Sequence, residues 1–290
     1  MKQTTVTRDF QQSEDYEKFH SSIPLRKLFV DDDNNLAMSW KVYDAGPKTV
    51  NYPIVFLPPV SASADIYFQQ LLHLSNDGYR VISLDYPAYT TIQQFCRGLE
   101  KVINTLGLLQ VHVFASGFGG FLMLNFFESY RYKQLVVSLF LCNSFTDTAL
   151  IRHKGHQIFK IMPFFALRNI AMKNLRGDCD AAAFNFVSES CSTFTKKQLA
   201  CRLACRYTDS FVDNLNILQS LHVTLMHTFD DQAVHELEKL DICKHFPMAK
   251  LAHLKRGGRF PFLTQSSEVN FHVKLHVQNF VGTIKSPKIA

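Results

Sequence analysis

Short apolar runs alternate with segments of helical periodicity along most of the chain. Apolar runs of this length favour strands that are buried on both faces, and the helical segments between them are typical of parallel crossovers. The predicted strands are Leu25–Val30, Leu36–Tyr43, Ile54–Leu57, Val81–Leu84, Val111–Ala115, Leu135–Leu141, Val223–Met226 and Lys250–Leu254. The pattern predicts an α/β fold, with a mainly parallel sheet of about eight strands and helices on both faces.

The strand–helix alternation stops between Ser144 and Leu221, where only helical patterns occur. An all-helical insertion between two sheet units is expected to cap the carboxyl edge of the sheet, so residues 145–221 are predicted to be a helical cap. Residues 1–24 are interpreted as a polar arm, and residues 1–290 as a single domain. Helices are predicted at Ser63–Ser75, Ile92–Leu106, Gly117–Tyr130, Lys154–Leu175, Asp180–Ser190, Lys196–Tyr207, Ala233–Phe246 and from Pro261 to about Gly282.

Composition narrows the possible functions. The 290 residues are 47% hydrophobic and 19% charged, enough to build a full core. The net charge of +6 is spread without long runs of like charge, which argues against nucleic-acid binding. Seven cysteines in mostly apolar surroundings favour buried, reduced thiols in a cytosolic protein. We expect no secretory signal and no transmembrane helix.

The segment that begins at Val111, VHVFASGFGG, predicts a strand-to-helix turn of the kind called a nucleophile elbow. If its trailing glycines, Gly119 and Gly120, match the elbow pattern G-x-S-x-G-G, the central position is Gly117, which has no nucleophilic side chain. Ser116 is the alternative nucleophile. With Ser116 at the central position of the pattern, phenylalanines stand two residues away on either side, where the turn needs small side chains. The glycines also suit close packing between strand and helix.

Two further strand ends are expected to complete such a site. Asp230 follows the predicted strand Val223–Met226, where a hydrolase has its orienting carboxylate, although an aspartate here would also suit a helix N-cap. After Lys250–Leu254, the sequence GGRFP puts Arg259 where a general-base histidine would stand. A guanidinium stays protonated and cannot accept a proton from a nucleophile. His253 is the alternative base, but it is more typical of an ordinary strand histidine.

The remaining candidates are weaker. Val60 and Phe118 are the positions whose N–H groups would form an oxyanion hole, but prolines precede Val60 where hydrolases usually have His-Gly. The pair His153 and His156 lacks further ligands at metal-site spacing, and the aspartates that begin at Asp31 are interpreted as a hairpin turn. We therefore expect neither a metal site nor a bound cofactor.

The sequence resembles the maspardin family of α/β-hydrolase-fold proteins from about Tyr16 to Gly282. The segments that carry the resemblance are VDDD from Val30, YDAGP from Tyr43, FLPPVS from Phe56, GYRVI from Gly78, LCNSF from Leu141, AHLK from Ala252, and the pair Gly257–Gly258. Members of this family keep an elbow serine in a GASLGG context and already lack the loop histidine. This chain departs further, with Ala115 in place of the first glycine and Gly117 in place of the serine.

The resemblance implies a cytoplasmic adaptor or negative regulator of receptor signalling, partly associated with endosomal and trans-Golgi membranes. It also implies protein partners, such as a T-cell co-receptor cytoplasmic tail or an aldehyde dehydrogenase. The prediction is a catalytically inactive α/β-hydrolase fold that acts through protein–protein contacts. The alternatives are an esterase or lipase that uses Ser116 with a relocated histidine, and a receptor for a small acid that is held by Arg259. The sequence does not predict the oligomeric state.

Overall fold

The strands of the protein form a single sheet in the computed structural model. The structure describes residues 9–31, 37–128, 134–151, 155–173, 175, 180–212, 221–231 and 236–284. In this part of the chain the strands are β1 Arg26–Asp31, β2 Ala37–Ala45, β3 Ile54–Leu57, β4 Val81–Asp85, β5 Val111–Ser116, β6 Val136–Cys142, β7 His222–Thr228 and β8 Lys250–Leu254.

The strand order is β1-β2-β4-β3-β5-β6-β7-β8. Only β2 runs antiparallel to its neighbours, β1 and β4, and all pairs from β4 to β8 are parallel. The central strands β3 to β5 are buried along their whole length, which explains why they appear as unbroken apolar runs in the sequence. The prediction of a mainly parallel eight-stranded sheet is confirmed.

Helices cover both faces of this sheet. The described helices are α1 Glu14–Ser22, α2 Phe68–Asn76, α3 Ile92–Thr105, α4 Phe118–Glu128, α5 Phe164–Ala171, α6 Ala181–Ser192, α7 Lys196–Tyr207, α8 Glu236–His245, α9 Pro261–Thr264 and α10 Ser266–Ile284. One hydrophobic core lies on the side of α3, α4 and α7, and a second lies on the side of α1, α2 and α10. The alternation of Val113 and Phe114 between these cores shows that β5 contributes side chains to both.

Three predicted helices are divided in the structure. The one predicted over Lys154–Leu175 is a 3₁₀ turn at His156–Lys160 followed by α5, because Pro163 has no N–H with which to continue a helix. The final helix is interrupted at Gln265, which separates α9 from α10. The segment predicted from Ser63 begins as a 3₁₀ turn before α2.

The described part of the predicted polar arm contains a docked helix. Ser13 caps α1 by accepting a hydrogen bond from the Tyr16 N–H at 3.2 Å. Phe19 is fully buried, and its ring lies 4.8 Å from that of Tyr43 on β2. Burying one phenylalanine contributes about 1.5–3 kcal/mol. This segment is therefore part of the second core, which its polar composition did not predict.

Helices α5, α6 and α7 form the cap, which lies between β6 and β7 in the chain. Its entry and exit are paired, because Thr148 N–H donates to the Ser210 carbonyl at 3.0 Å and Val212 N–H donates to the Thr146 carbonyl at 3.1 Å. These two hydrogen bonds, here called the cap neck, hold the two ends of the cap together.

A buried ion pair also joins the cap to the sheet. Arg202 of α7 and Asp85 at the end of β4 are each about 1% exposed and are hydrogen-bonded to each other. Arg202 also donates to the carbonyls of Ala62 at 3.1 Å and Tyr86 at 3.0 Å, and it lies 3.9 Å from the centre of the Tyr86 ring. A buried ion pair therefore holds the cap against the sheet.

The described cysteines are free thiols. Five of the six are buried, and Cys243 is partly exposed, while Cys179 lies outside the described residues. Burial raises the pKa of the Cys96 and Cys205 thiols to about 12, which keeps them protonated and unreactive. Among the helices that the structure describes, none is long and apolar enough to cross a membrane.

Candidate functional site

The turn between β5 and α4 has the backbone of a nucleophile elbow. Gly117 is in the left-handed region with a φ of +51°, and its N–H donates to the Cys142 carbonyl at 2.9 Å. A side chain at this position would meet only the Pro59 Cβ at 3.6 Å and the Asn143 carbonyl oxygen at 3.9 Å. The elbow geometry is therefore kept and a side chain has room, but the residue has no nucleophile.

The next two glycines of the elbow pack closely. A Cβ on Gly119 would lie 2.6 Å from the Pro58 carbonyl oxygen, and one on Gly120 would collide with the Ser144 hydroxyl. These contacts explain why the turn has small residues here, as strand–helix packing predicts.

Ser116 is buried and hydrogen-bonded to a tyrosine. Its hydroxyl lies 2.7 Å from the Tyr67 hydroxyl, which donates to the Leu57 carbonyl at 2.8 Å. Because a phenol has one proton, Tyr67 uses it on Leu57 and accepts the proton of Ser116. Burial raises the pKa of Tyr67 well above its usual value, so Tyr67 is not a base for Ser116.

His253 lies on the edge strand β8 and is exposed. Its ring contacts the rings of His227 and Phe229, with centroid distances of 6.3 and 5.2 Å. In the described part of the chain, no histidine is hydrogen-bonded to Ser116. The structure therefore does not bring Ser116 and His253 together as a nucleophile and base.

The loop that carries Arg259 is held by Asp230. The Asp230 carboxylate accepts hydrogen bonds from the Gly258 N–H at 2.8 Å and the Gly257 N–H at 3.0 Å. Both glycines have positive φ, which this turn requires. Asp230 thus positions the loop backbone, whereas in a hydrolase the acid would orient an imidazole. The N-cap role suggested for Asp230 stays a prediction, because the described part of α8 begins at Glu236 and residues 232–235 lie outside the described residues.

Asn143, directly after β6, is hydrogen-bonded to the end of β7 and to the glycine loop after β8. It has a φ of +45°, and its amide donates to the Thr228 hydroxyl at 3.0 Å and to the Gly258 carbonyl at 3.2 Å. The Thr228 N–H donates back to the Asn143 side chain at 3.1 Å. This buried network fixes the glycine loop against β6 and β7, and with it the position of Arg259.

These elements enclose a cavity of about 20 Å³, which has room for about one water molecule. Its lining includes the elbow, both predicted oxyanion positions and Arg259, together with three side chains that the sequence did not indicate, namely Asn143, Arg206 and Asp231. The described lining residues are Pro59, Val60, Ser116, Gly117, Phe118, Asn143, Phe145, Arg206, Asp231 and Arg259. Pockets that bind small-molecule substrates usually have about 300–1,000 Å³, so this cavity is far smaller than a usual substrate pocket.

The acid in the cavity differs from the predicted one. Asp231, which is 2% exposed, lines the cavity, whereas its neighbour Asp230 binds the glycine loop. Burial and the charge of Arg259 lower the pKa of Arg206 to about 10. Nothing in the sequence near Arg206 marks it for this site, because α7 reaches the cavity only through the fold of the cap.

No cluster of metal-ligating side chains is present in the residues that the structure describes. His153 and Asp32–Asn35 lie outside these residues. His156 is hydrogen-bonded to the neighbouring Gln157 at 2.9 Å.

Comparison by sequence finds similar proteins over almost the whole chain. Maspardin of Danio rerio is 41% identical over 276 residues, which cover 93% of this chain and 88% of that protein. Maspardin of Homo sapiens is 40% identical over 276 residues, with coverage of 93% and 89%. No protein-family model matches the chain.

Comparison by structure finds enzymes with the same architecture. The enol-lactonase of Burkholderia xenovorans superposes with a TM-score of 0.72 at 12% identity, covering 87% of this chain and 100% of that one. A thermophilic esterase of Thermogutta terrifontis also gives 0.72 at 14% identity, with coverage of 88% and 99%. At this identity the likeness shows the fold alone. The prediction of an α/β-hydrolase fold is confirmed.

Proposed function

Since this chain belongs to the maspardin family and has an α/β-hydrolase fold, we propose that it is a non-catalytic adaptor that acts through protein–protein contacts. The observation that carries the proposal is the elbow, whose left-handed residue is Gly117 rather than a nucleophile. Arg259 occupies the base position, and the nearby cavity has about 20 Å³. Nucleophile and base act as a unit in hydrolysis, so losing both removes most of the rate.

The partners and location of the protein are part of the same proposal. By resemblance to the family, we propose a cytoplasmic protein that associates peripherally with endosomal and trans-Golgi membranes. Its proposed partners are the cytoplasmic tail of a receptor and an aldehyde dehydrogenase. The fold is compatible with such a role, because Arg202 joins the cap to the sheet without any chemistry at the elbow.

The catalytic part is tested with a fluorophosphonate probe and a short-chain ester. We expect no stoichiometric labelling of the wild-type protein and no ester turnover above that of the Ser116→Ala variant. The reason is that Ser116 is hydrogen-bonded to Tyr67 and that no histidine of the described residues is hydrogen-bonded to it. An active serine esterase, treated in parallel, is the positive control. Stoichiometric labelling that is lost in Ser116→Ala would show that the protein is a serine hydrolase.

The adaptor part is tested by direct binding. We expect purified aldehyde dehydrogenase from the same species to bind the immobilised protein saturably. We expect no binding to an immobilised hydrolase-fold esterase, which shares the fold but not the family. Equal retention on both surfaces, or on neither, would contradict this partner assignment and leave the catalytic result unaffected.

A further inference from the structure

Two arginine side chains meet at the cavity beside the elbow. Arg206 comes from the cap helix α7, and Arg259 comes from the glycine loop after β8. Within the part of the chain that the structure describes, neither guanidinium makes a hydrogen bond or an ion pair. The Nε of Arg206 is buried without a partner. Two partly exposed cations therefore converge on one small cavity.

The two guanidinium groups at this cavity have no hydrogen-bonded counter-ion among the described residues. A buried cation without a hydrogen-bonded partner is costly, and two neighbouring cations also repel each other. The effect is visible at Arg206, where burial and then Arg259 lower the pKa of the guanidinium, while Glu238 partly opposes this change. Among the described lining residues, Asp231 is the one carboxylate beside two guanidinium groups, while Glu238 acts on Arg206 from outside this lining. An anion between the arginines would supply the missing negative charge.

The size of the cavity limits what this anion can be. About 20 Å³ is little more than the space for one water molecule, so a halide ion fits and formate is the upper limit, whereas phosphate and longer acids do not fit. Gly117 keeps this space open, because a side chain there would extend between Pro59 and Asn143. The missing nucleophile thus leaves room beside the two arginines.

We propose that this cavity binds one small monovalent anion, the size of a halide ion or formate, between Arg206 and Arg259. Because Arg206 belongs to the cap and Arg259 to the glycine loop after β8, the bound anion connects the cap to this loop beside the elbow. This site goes beyond the proposed adaptor function. It also restricts the alternative function, a receptor for a small acid held by Arg259, to anions without a bulky chain.

Thermal unfolding in a series of sodium salts tests the proposal. The salts are chloride, bromide, formate and butyrate, at constant ionic strength maintained with a bulky morpholine sulfonate. We expect a saturable rise of a few degrees in the unfolding midpoint with the three small anions and none with butyrate. The rise should disappear in Arg206→Gln and Arg259→Gln. It should remain in Arg256→Gln, the matched control, which changes an exposed arginine of the same loop.

Anion responses in Arg206→Gln and Arg259→Gln that equal the wild-type response would overturn the proposal. Wild-type crystals grown in sodium bromide give a second readout that does not require the variants to fold. We expect an anomalous bromide peak between the two guanidinium groups, and a cavity without one would also refute the site. Neither outcome bears on fluorophosphonate labelling or partner binding, so the adaptor proposal is tested separately.

Discussion

Replacing Arg202 with methionine is expected to lower the free energy of unfolding by about 3–5 kcal/mol, the usual cost of leaving one member of a buried ion pair alone. Asp85, its partner at the end of β4, is 1% exposed. Methionine fills a similar volume but donates no hydrogen bond, so the Asp85 carboxylate and the Tyr86 carbonyl lose donors. Lys41, 3.8 Å from the other Asp85 oxygen, only partly compensates.

Guanidinium chloride unfolding at neutral pH measures this loss. Trp40 is the single tryptophan of the chain, is fully buried, and donates to the Tyr89 hydroxyl at 2.9 Å, so its fluorescence reports on the core beside the cap contact. Arg168→Met is the matched control within the cap, because Ser188 of α6 is the one residue of the described part to which Arg168 donates. We expect the control to cost about 1 kcal/mol, as a partly buried hydrogen bond does.

The double variant Arg202→Met with Asp85→Asn separates lost charge balance from lost packing. Neutralising Asp85 removes the uncompensated carboxylate, so we expect the double variant to be more stable than Arg202→Met alone. If Arg202→Met costs no more than Arg168→Met, the ion pair does not fasten the cap to the sheet.

Most of the sheet could be predicted from sequence because each central strand is buried on both faces. Ile54–Leu57, for example, is an unbroken apolar run whose ends in the structure match the prediction. The docking of α1 was missed because few of its residues are apolar. Phe19 and Ile23, which are four residues apart, were the signal that one face is buried.

The candidate site was only partly predictable. Gly117 and Arg259 stand out because each replaces a functional residue in a local pattern. Arg206 is more than 50 residues from Arg259 in the chain, and no local pattern records that the cap neck brings α7 to the elbow. The position after the strand favours Asp230 over Asp231 as the carboxylate of the site, but no local pattern shows that these adjacent residues point to different neighbours. The structure separates Asp230, on the glycine loop, from Asp231, in the cavity.

Acidification is expected to destabilise the fold between about pH 6.5 and pH 4, because several histidines are buried in the neutral form. His227 is 5% exposed, and both of its ring nitrogens lack a hydrogen-bond partner among the described residues. Burial lowers the pKa of His227 and of His112 to about 4. Burial also holds the pKa of His276 well below its usual value, beside His112 and His222.

The sign follows from the proton balance. Below pH 6.5 the unfolded chain binds protons at these histidines, whereas the folded chain does not until the pH approaches 4. The free energy of unfolding is therefore highest above pH 6.5, and it decreases as the pH falls from 6.5 to about 4. A shift of that size corresponds to roughly 3 kcal/mol for each of His112 and His227.

His227→Leu is expected to remove one of these contributions and to flatten the fall in stability towards acid pH. Leucine also removes two unsatisfied buried nitrogens, so we expect no loss of stability at pH 7.5. The measurement is the free energy of unfolding in guanidinium chloride at pH values from 7.5 to 4.5. His253→Leu, which changes the exposed histidine paired with His227 across β7 and β8, is the matched control and should change the slope far less than His227→Leu does, because burial is the main cause of the lowered His227 pKa. Parallel pH profiles for wild type and His227→Leu would mean that His227 takes up its proton in the folded state as readily as in the unfolded chain.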